Sequence, residues 1–205
     1  MRIYLYGCSG HAKVIFDILR CCNREVAAFF DDAPPENSSH LHDVPIFNTS
    51  QLSNIDPLQS RWIVAIGNNS DRKNIVQNLA SKGYTFTTAV HPSAQIAKEV
   101  KIGAGTVVMA NTVINIDSVI GQHAIINTGA IIDHDCQISD YVHIAPSCSL
   151  CGNVCIKEGS LLGVGTKIIP SVEVGRWTIC GAGSVVVKSM PSHCVAYGVP
   201  ATPRK

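Results

Sequence analysis

From Val90 onward an aliphatic residue recurs at every sixth position: Ile96, Ile102, Val108, Ile114, Ile120, Ile126, Ile132, Ile138, Ile144, Leu150, Ile156, Leu162, Ile168 and Val174. Cys180 breaks the aliphatic series with a small apolar side chain, and Val186 restores it. A period of six fits neither the 3.6 of a helix nor the alternation of a simple strand. Three faces of six residues make an 18-residue triangular coil, with the periodic aliphatic pointing into the prism. One such coil cannot bury its apolar side alone and must stack on the next, which makes a solenoid. Small or hydroxylic residues two places before the next aliphatic (Thr106, Thr112, Ser118, Ala124, Ala130, Cys136, Cys148, Thr166, Ser184) suit narrow corners. Residues 90–205 are therefore expected to form an all-β left-handed parallel β-helix. Roughly six coils at about 4.8 Å per strand give a prism about 28 Å tall.

Charge narrows the partners. With 16 Lys+Arg against 15 Asp+Glu there is no basic field to gather nucleic acid, so anionic ligands must be recognised locally. The start, Met1-Arg2-Ile3-Tyr4-Leu5-Tyr6, is too short an apolar run for a signal peptide, and no stretch reaches the roughly 18 apolar residues of a membrane span. The expected compartment is the cytoplasm. Nine cysteines then read as small packing residues rather than disulfides. Cys148, Cys151 and Cys155 lack paired C-x-x-C knuckles, and the register sends them to different corners and faces.

Residues 1–89 show no hexad phase and read as an α/β, Rossmann-like domain. Ile3–Tyr6 is a strand, followed by the turn Gly7-Cys8-Ser9-Gly10-His11 and a helix with Val14, Ile15, Ile18, Leu19 and Cys22 on one face. Val26–Phe30 is a second strand ending in Asp31-Asp32, and Ala33 to about Ser39 is a Pro/Ser/Asn-rich loop. Trp62–Ile66 is a third strand running into Gly67-Asn68-Asn69. Asp71 begins a helix bearing Ile75, Val76 and Leu79, with Gly83 as its stop. Such alternation implies a parallel sheet, whose ligands sit beyond the carboxyl ends of the strands. Gly7, Ser9, Gly10, His11, Asp31, Asp32, Gly67, Asn68 and Asn69 meet there. The glycines admit a phosphate to the backbone, the helix N-terminus offers it N–H groups, and the acidic pair can bind a ribose or base edge. The motif is G-x-x-G-x-A, not the dinucleotide G-x-G-x-x-G.

On the prism the densest polar cluster is Asn127-Thr128-Gly129, Asp133-His134-Asp135 and then His143. A histidine between two carboxylates suits a general base, since a bonded carboxylate fixes the tautomer and favours the transient imidazolium. The alternative is a surface histidine in a polar corner, and His123 at a corner position reads the same way. A zinc site on His123, His134 and His143 would need separations near 18 residues, whereas theirs are 11 and 9. No metal is expected. His134 and His143 lie half a coil apart and face different ways, so one pocket could use both only across neighbouring prisms. That predicts a homotrimer with sites at its interfaces.

Gly7–Val14, Asp31-Asp32, Ile66–Asn69, Ile126–Gly129, Asp133–Cys136, Gly152–Val154 and Gly198–Ala201 together resemble hexapeptide-repeat acyltransferases. Specifically, they are similar to the bacterial sugar-nucleotide N-acetyltransferases of the bacillosamine and perosamine pathways and their sialic acid O-acetyltransferase relatives. The resemblance implies direct acetyl transfer from acetyl-CoA to the C4 amine of a nucleotide-linked 4-amino-4,6-dideoxy sugar, UDP-linked in the first instance. It implies His134 as base, Asp135 (Glu in some relatives) as its orienting carboxylate, and Asn127 near the amine. By the same resemblance His143 is a donor near the thioester carbonyl. Gly152, Gly163 and Gly165 lie along the pantetheine arm, and Lys167 lies by the 3′-phosphate. Cys136 is the one thiol near the site to exclude as an acyl carrier. GDP- or dTDP-linked sugars, O-acetylation of sialic acid, and a non-catalytic nucleotide-sensing scaffold are the competing readings.

Overall fold

The structure, a computed structural model, describes residues 1–36 and 39–204. From Ala89 the chain winds as a left-handed parallel β-helix of mostly two-residue strands in three sheets. Each strand pairs with its equivalent one coil later: Val113 with Ile131, Ile131 with Ser149, Ile125 with His143 and His143 with Leu161. The second residue of each pair points inward, and Ile114, Ile126, Ile144 and Leu162 are fully buried. Each such side chain contributes roughly 2 kcal/mol of hydrophobic stabilisation. Cys180 is also fully buried and occupies the aliphatic's place, so the coil continues through it.

The corners explain why a run of short strands can turn so often. One residue per hexad is left-handed, including Asn111, Asp117, Gly129, Asp135, Asn153 and Gly165, with φ between 56° and 70°. Glycine, asparagine and aspartate tolerate that region best. The residue after it points inward, and several hydroxylic ones bond a corner carbonyl of the next coil. Thr106 donates to Gly121 O at 2.7 Å, Ser118 to Asp133 O at 2.8 Å and Ser160 to Gly175 O at 2.6 Å. Buried corner hydroxyls are thereby satisfied.

The front of the chain is a five-stranded sheet. Its strands are β1 (Arg2–Tyr6), β2 (Val26–Asp31), β3 (His40–Leu41), β4 (Val44–Asn48) and β5 (Ser60–Val64), in the order β3-β4-β2-β1-β5. All neighbours are parallel except β3 and β4. The hairpin β3–β4 has no counterpart in the sequence reading, and β5 starts and ends two residues earlier than expected. The Pro/Ser/Asn-rich loop includes Asn37 and Ser38, which lie outside the described residues. Helix α1 (Gly10–Cys21) buries Ala12, Ile15, Ile18 and Leu19, whereas Val14 faces outward at 42% exposure. Helix α2 (Asn69–Ser81) begins two residues before Asp71 because the Asn68 side chain accepts from Ser70 N and Asp71 N.

The two parts share a core. Ile15, Ile18 and Leu19 of α1 cluster with Ala89, Val107, Met109 and Ile125, which project from the outer face of the first coils. On the other side of the sheet, Val76 and Leu79 of α2 pack with Tyr4, Phe30 and Trp62. The carboxyl ends of β1, β2 and β5 thus stand fixed against one face of the prism.

Candidate active site

The three front loops do converge. Gly7 N donates to Phe30 O at 2.7 Å, and a Cβ on Gly7 would sit 3.0 Å from Ala65 O, with φ at +100°. Only glycine suits that approach. Asp31 ties the first loop to the second, accepting from Cys8 N at 3.0 Å and the Cys8 thiol at 3.2 Å, and from Ala33 N at 3.0 Å. Burial and Asp31 push the Cys8 thiol up to about 11. Asp32 accepts from the Tyr6 hydroxyl at 2.9 Å and from Thr49 at 2.6 Å. Burial and this carboxylate raise the Tyr6 phenol far above its usual range. Asp32 lines an open groove of about 530 Å³ with Tyr6, Asn48, Thr49, Asn74 and Lys82. Ser9 stands at the N-cap of α1, its side chain making no cap bond while its carbonyl accepts from Lys13 N at 3.2 Å, and a Cβ on Gly10 would meet nothing within 4 Å.

Asn68 and Asn69, expected as ligand contacts, also make bonds within the protein. Asn68 caps α2. Asn69 donates to Gly159 O at 3.0 Å and Ser160 O at 3.2 Å on the prism. Gly67 to Ser70, Leu161, Trp177 and Ile179 enclose a smaller groove of about 210 Å³.

His134 stands at an exposed corner after the strand Ile131–Ile132. Its Nδ1 is 2.7 Å from Asp135 Oδ2. Asp133 accepts from the His134 backbone N–H at 2.8 Å and from Asn115 Nδ2 at 2.9 Å. Asp135 therefore orients the ring and Asp133 the backbone. The Asn115 bond, then the His134 N–H, holds the Asp133 carboxyl below its usual range. The bond to Asp135, reinforced by the Asp133 charge, raises His134 above its ordinary value. With the proton on Nδ1, Nε2 keeps a lone pair that can act as a base. Gly152 lies one coil on, where a Cβ would fall 2.5 Å from His134 Cε1. Its first structural duty is thus to seat the imidazole. Asn115 was missed by sequence reasoning, although one coil length separates it from Asp133.

His143 occupies the opposite kind of setting. Its Nε2 is 3.3 Å from Asn127 Nδ2, and Asn127 Oδ1 takes Thr128 N at 2.8 Å. Because Asn127 Oδ1 is taken by Thr128 N, its Nδ2 is the group that faces the His143 ring. Burial, then the Arg72 charge, lowers His143 to about 4. His11 shares the cleft, lowered to about 4 by burial and by His143 and Arg72, with its Nε2 buried and unpartnered. One chain therefore gathers His11, Gly67, Asn127 and His143 and leaves His134 with Asp135 on another corner.

The remaining expected residues have local explanations. A Cβ on Gly163 would lie 2.6 Å from Ala182 N of the next coil, and Gly165 is a left-handed corner with φ +70°. Lys167 is exposed on the face that carries Ile131 and Ser149. Cys136 is fully buried and burial raises its thiol, which leaves little thiolate to carry an acyl group. His123 is buried at the domain junction, stacked on Tyr141 at 5.4 Å.

Residues 2–79 match the family model of the PglD N-terminal domain. The chain is 39% identical to a mutant perosamine N-acetyltransferase from Caulobacter crescentus, solved with CoA and GDP-perosamine. That match has a TM-score of 0.95 and covers 100% of this chain and 97% of the other. The chain belongs to the nucleotide-sugar N-acetyltransferases. Another member, the acetyltransferase domain of PglB from Neisseria gonorrhoeae FA1090 in complex with acetyl coenzyme A, is 32% identical. Its TM-score is 0.91, over 99% of this chain and 98% of that one. The UDP-N-acetylbacillosamine N-acetyltransferase of Bacillus subtilis (strain 168) is 40% identical over 112 residues, which are 53% of this chain and 51% of that protein. The match to this curated relative thus spans about half its length. Among the described residues of this N-acetyltransferase, no three His, Cys, Asp or Glu side chains are grouped to hold a metal. No helix among them is long and apolar enough to cross a membrane.

Proposed function

We propose that the chain transfers the acetyl group of acetyl-CoA to the C4 amine of a nucleotide-linked 4-amino-4,6-dideoxy sugar, UDP-linked and of the bacillosamine type, in the cytoplasm. The observation that carries this reading is the His134–Asp135 pair at 2.7 Å, with the imidazole seated over Gly152 and 54% exposed. A sugar ammonium must lose its proton before it attacks, and a histidine raised by a bonded carboxylate titrates where that exchange is useful. The C–N bond forms as the thioester C–S bond breaks. The proton passes to His134 and then to the leaving thiolate.

The nucleotide occupies the loops at Gly7–His11 and Asp31-Asp32, with its anionic groups at the open N-terminus of α1. Gly152, Gly163 and Gly165 flank the pantetheine arm, and Lys167 meets the coenzyme phosphate. The active species is a homotrimer in which His134 of one prism faces the His143 cleft of the next. Exposed Ile116 and Ile131 near the His134 corner supply apolar surface for that packing. A GDP-linked sugar is the second reading, favoured by the 39% identity over the whole chain with the GDP-perosamine complex.

Thiol release from acetyl-CoA, measured with UDP- and GDP-linked 4-amino sugars and with free sialic acid, tests the assignment. Turnover with the UDP sugar is expected. Turnover with the GDP sugar alone selects the second reading, and turnover with sialic acid alone overturns both.

A further inference from the structure

Asn115 lies one coil below Asp133 at the same corner of the prism, between the strands Val113–Ile114 and Val119–Ile120. Its Nδ2 donates to Asp133 Oδ1 at 2.9 Å, and that oxygen also accepts the His134 backbone N–H at 2.8 Å. The other residues at this place in successive coils, Ala97, Cys151, Ile169 and Val187, carry no comparable donor. Asn115 thus bonds the side chain that adjoins the proposed base.

The turn itself does not need this bond. Buried Ser118 donates to Asp133 O at 2.8 Å and accepts from Cys136 N at 3.1 Å, which brackets both ends of the His134 corner. Thr106 brackets the corner from Gly121 to Ala124 in the same way, at 2.7 and 3.0 Å. Ser160 does so from Gly175 to Thr178, at 2.6 and 3.2 Å. Those two corners carry a glycine where this one carries Asp133. The Asn115 bond is therefore an addition to a corner that closes without it. What it settles is the place of a carboxylate. His134 has an acid on each side; Asp135 reaches its ring at 2.7 Å, while Asp133 is turned to the backbone. Released from Asn115, the Asp133 side chain has other rotamers open to it, toward the same imidazole. The ionisable groups that the neighbouring coils bring to this corner are Asp117 below and Cys151 above.

We infer that Asn115 is a positioning residue: by holding Asp133 on the backbone side of the corner, it leaves the His134 ring one carboxylate partner, Asp135, and keeps the imidazole over Gly152. The kinetic arm of the test rests on the proposed nucleotide-sugar reaction; the spectroscopic arm does not. Asn115→Leu keeps the volume and removes the donor. With Asp133 released to share the imidazolium, the proton is held harder. The acid limb of kcat/KM should therefore move up by about half a pH unit, and kcat should fall about three- to tenfold as the ring leaves its seat. In an Asp133→Asn background there is no carboxylate to restrain, so Asn115→Leu should leave the limb in place. An unshifted limb in the single variant, or an equal shift in both backgrounds, overturns the proposal.

Independently, NMR titration of the His134 ring in the whole protein, with no substrate added, should show the same upward shift in Asn115→Leu and none when Asp133→Asn is also present. A merely structural role would lower the melting temperature and leave this titration where it was. An unchanged titration overturns the proposal even if no nucleotide sugar turns over and the functional reading itself fails. Should Asn115→Leu not fold, Asn115→Ala removes the same donor with less bulk and is read the same way, with an unchanged titration again decisive against the proposal.

Discussion

His134 and His143 lie nine residues apart in one chain and live in opposite worlds. His134 stands in solvent between two carboxylates that favour its proton, whereas burial, and then the Arg72 charge, disfavour a proton on His143. The same imidazole is thereby made a group that favours its proton and a group that stays neutral. In the proposed reaction the acid–base work falls to the first. Half a coil of β-helix produces that difference, because it carries the chain from an open corner to the face covered by the front domain.

The sharpest way to break the comparison is to remove each histidine in turn. His134→Ala should lower kcat by roughly 10²–10⁴ with little change in acetyl-CoA affinity; steady-state thiol release that leaves kcat near wild type removes His134 from the chemistry. Gly152→Ala should cost about 10- to 100-fold in kcat, because its Cβ would displace the imidazole by more than an ångström. Its melting temperature should barely move, since the displaced ring can swing into solvent.

Asp135→Asn takes away what raises His134. The acid limb of kcat/KM, which falls as His134 gains its proton, should therefore move to lower pH, with a smaller loss at the plateau. A limb that stays put would assign it to another group.

The smallest effect is on stability. His11, His123 and His143 are lowered to about 4 from 6.5, so between those values the unfolded chain binds the extra protons. Stability from these groups is complete above pH 6.5 and drains away as pH falls toward 4. His123→Phe, which keeps the ring stack on Tyr141, should make that slope shallower by about one proton in denaturant melts across this range. An unchanged slope would mean that His123 does not titrate with unfolding.

The hexads were readable because every hexad repeats the same demand: one inward aliphatic, one left-handed corner and one small inward residue. Even Cys180, a break in the letter pattern, obeys it in volume. The coil length held a further message that sequence reasoning did not extract. Adding 18 to 134 gives the glycine that seats the imidazole, and adding 18 to 115 gives the carboxylate that Asn115 holds. The junction was not readable in this way. Arg72 looks like any polar residue in the first turn of a helix, and its partners His123 and Tyr141 are 51 and 69 residues away. Nothing periodic links them. For the same reason the bonds of Asn69 to Gly159, Ser160 and Arg72 could not be read from the sequence. The hairpin β3–β4 escaped because its first strand has two residues and no alternation.

The shared core has a consequence for how such enzymes can be altered. Ala89, Val107, Met109 and Ile125 are greasy on the outside of the coil only because α1 covers them. The front domain is therefore less a detachable adaptor than the missing wall of the first coils. A chimaera spliced at residue 88 would pair a foreign helix with a surface cut for this one. Retargeting the acceptor is better sought by grafting the loops at the strand ends, with both halves of the wall left in place.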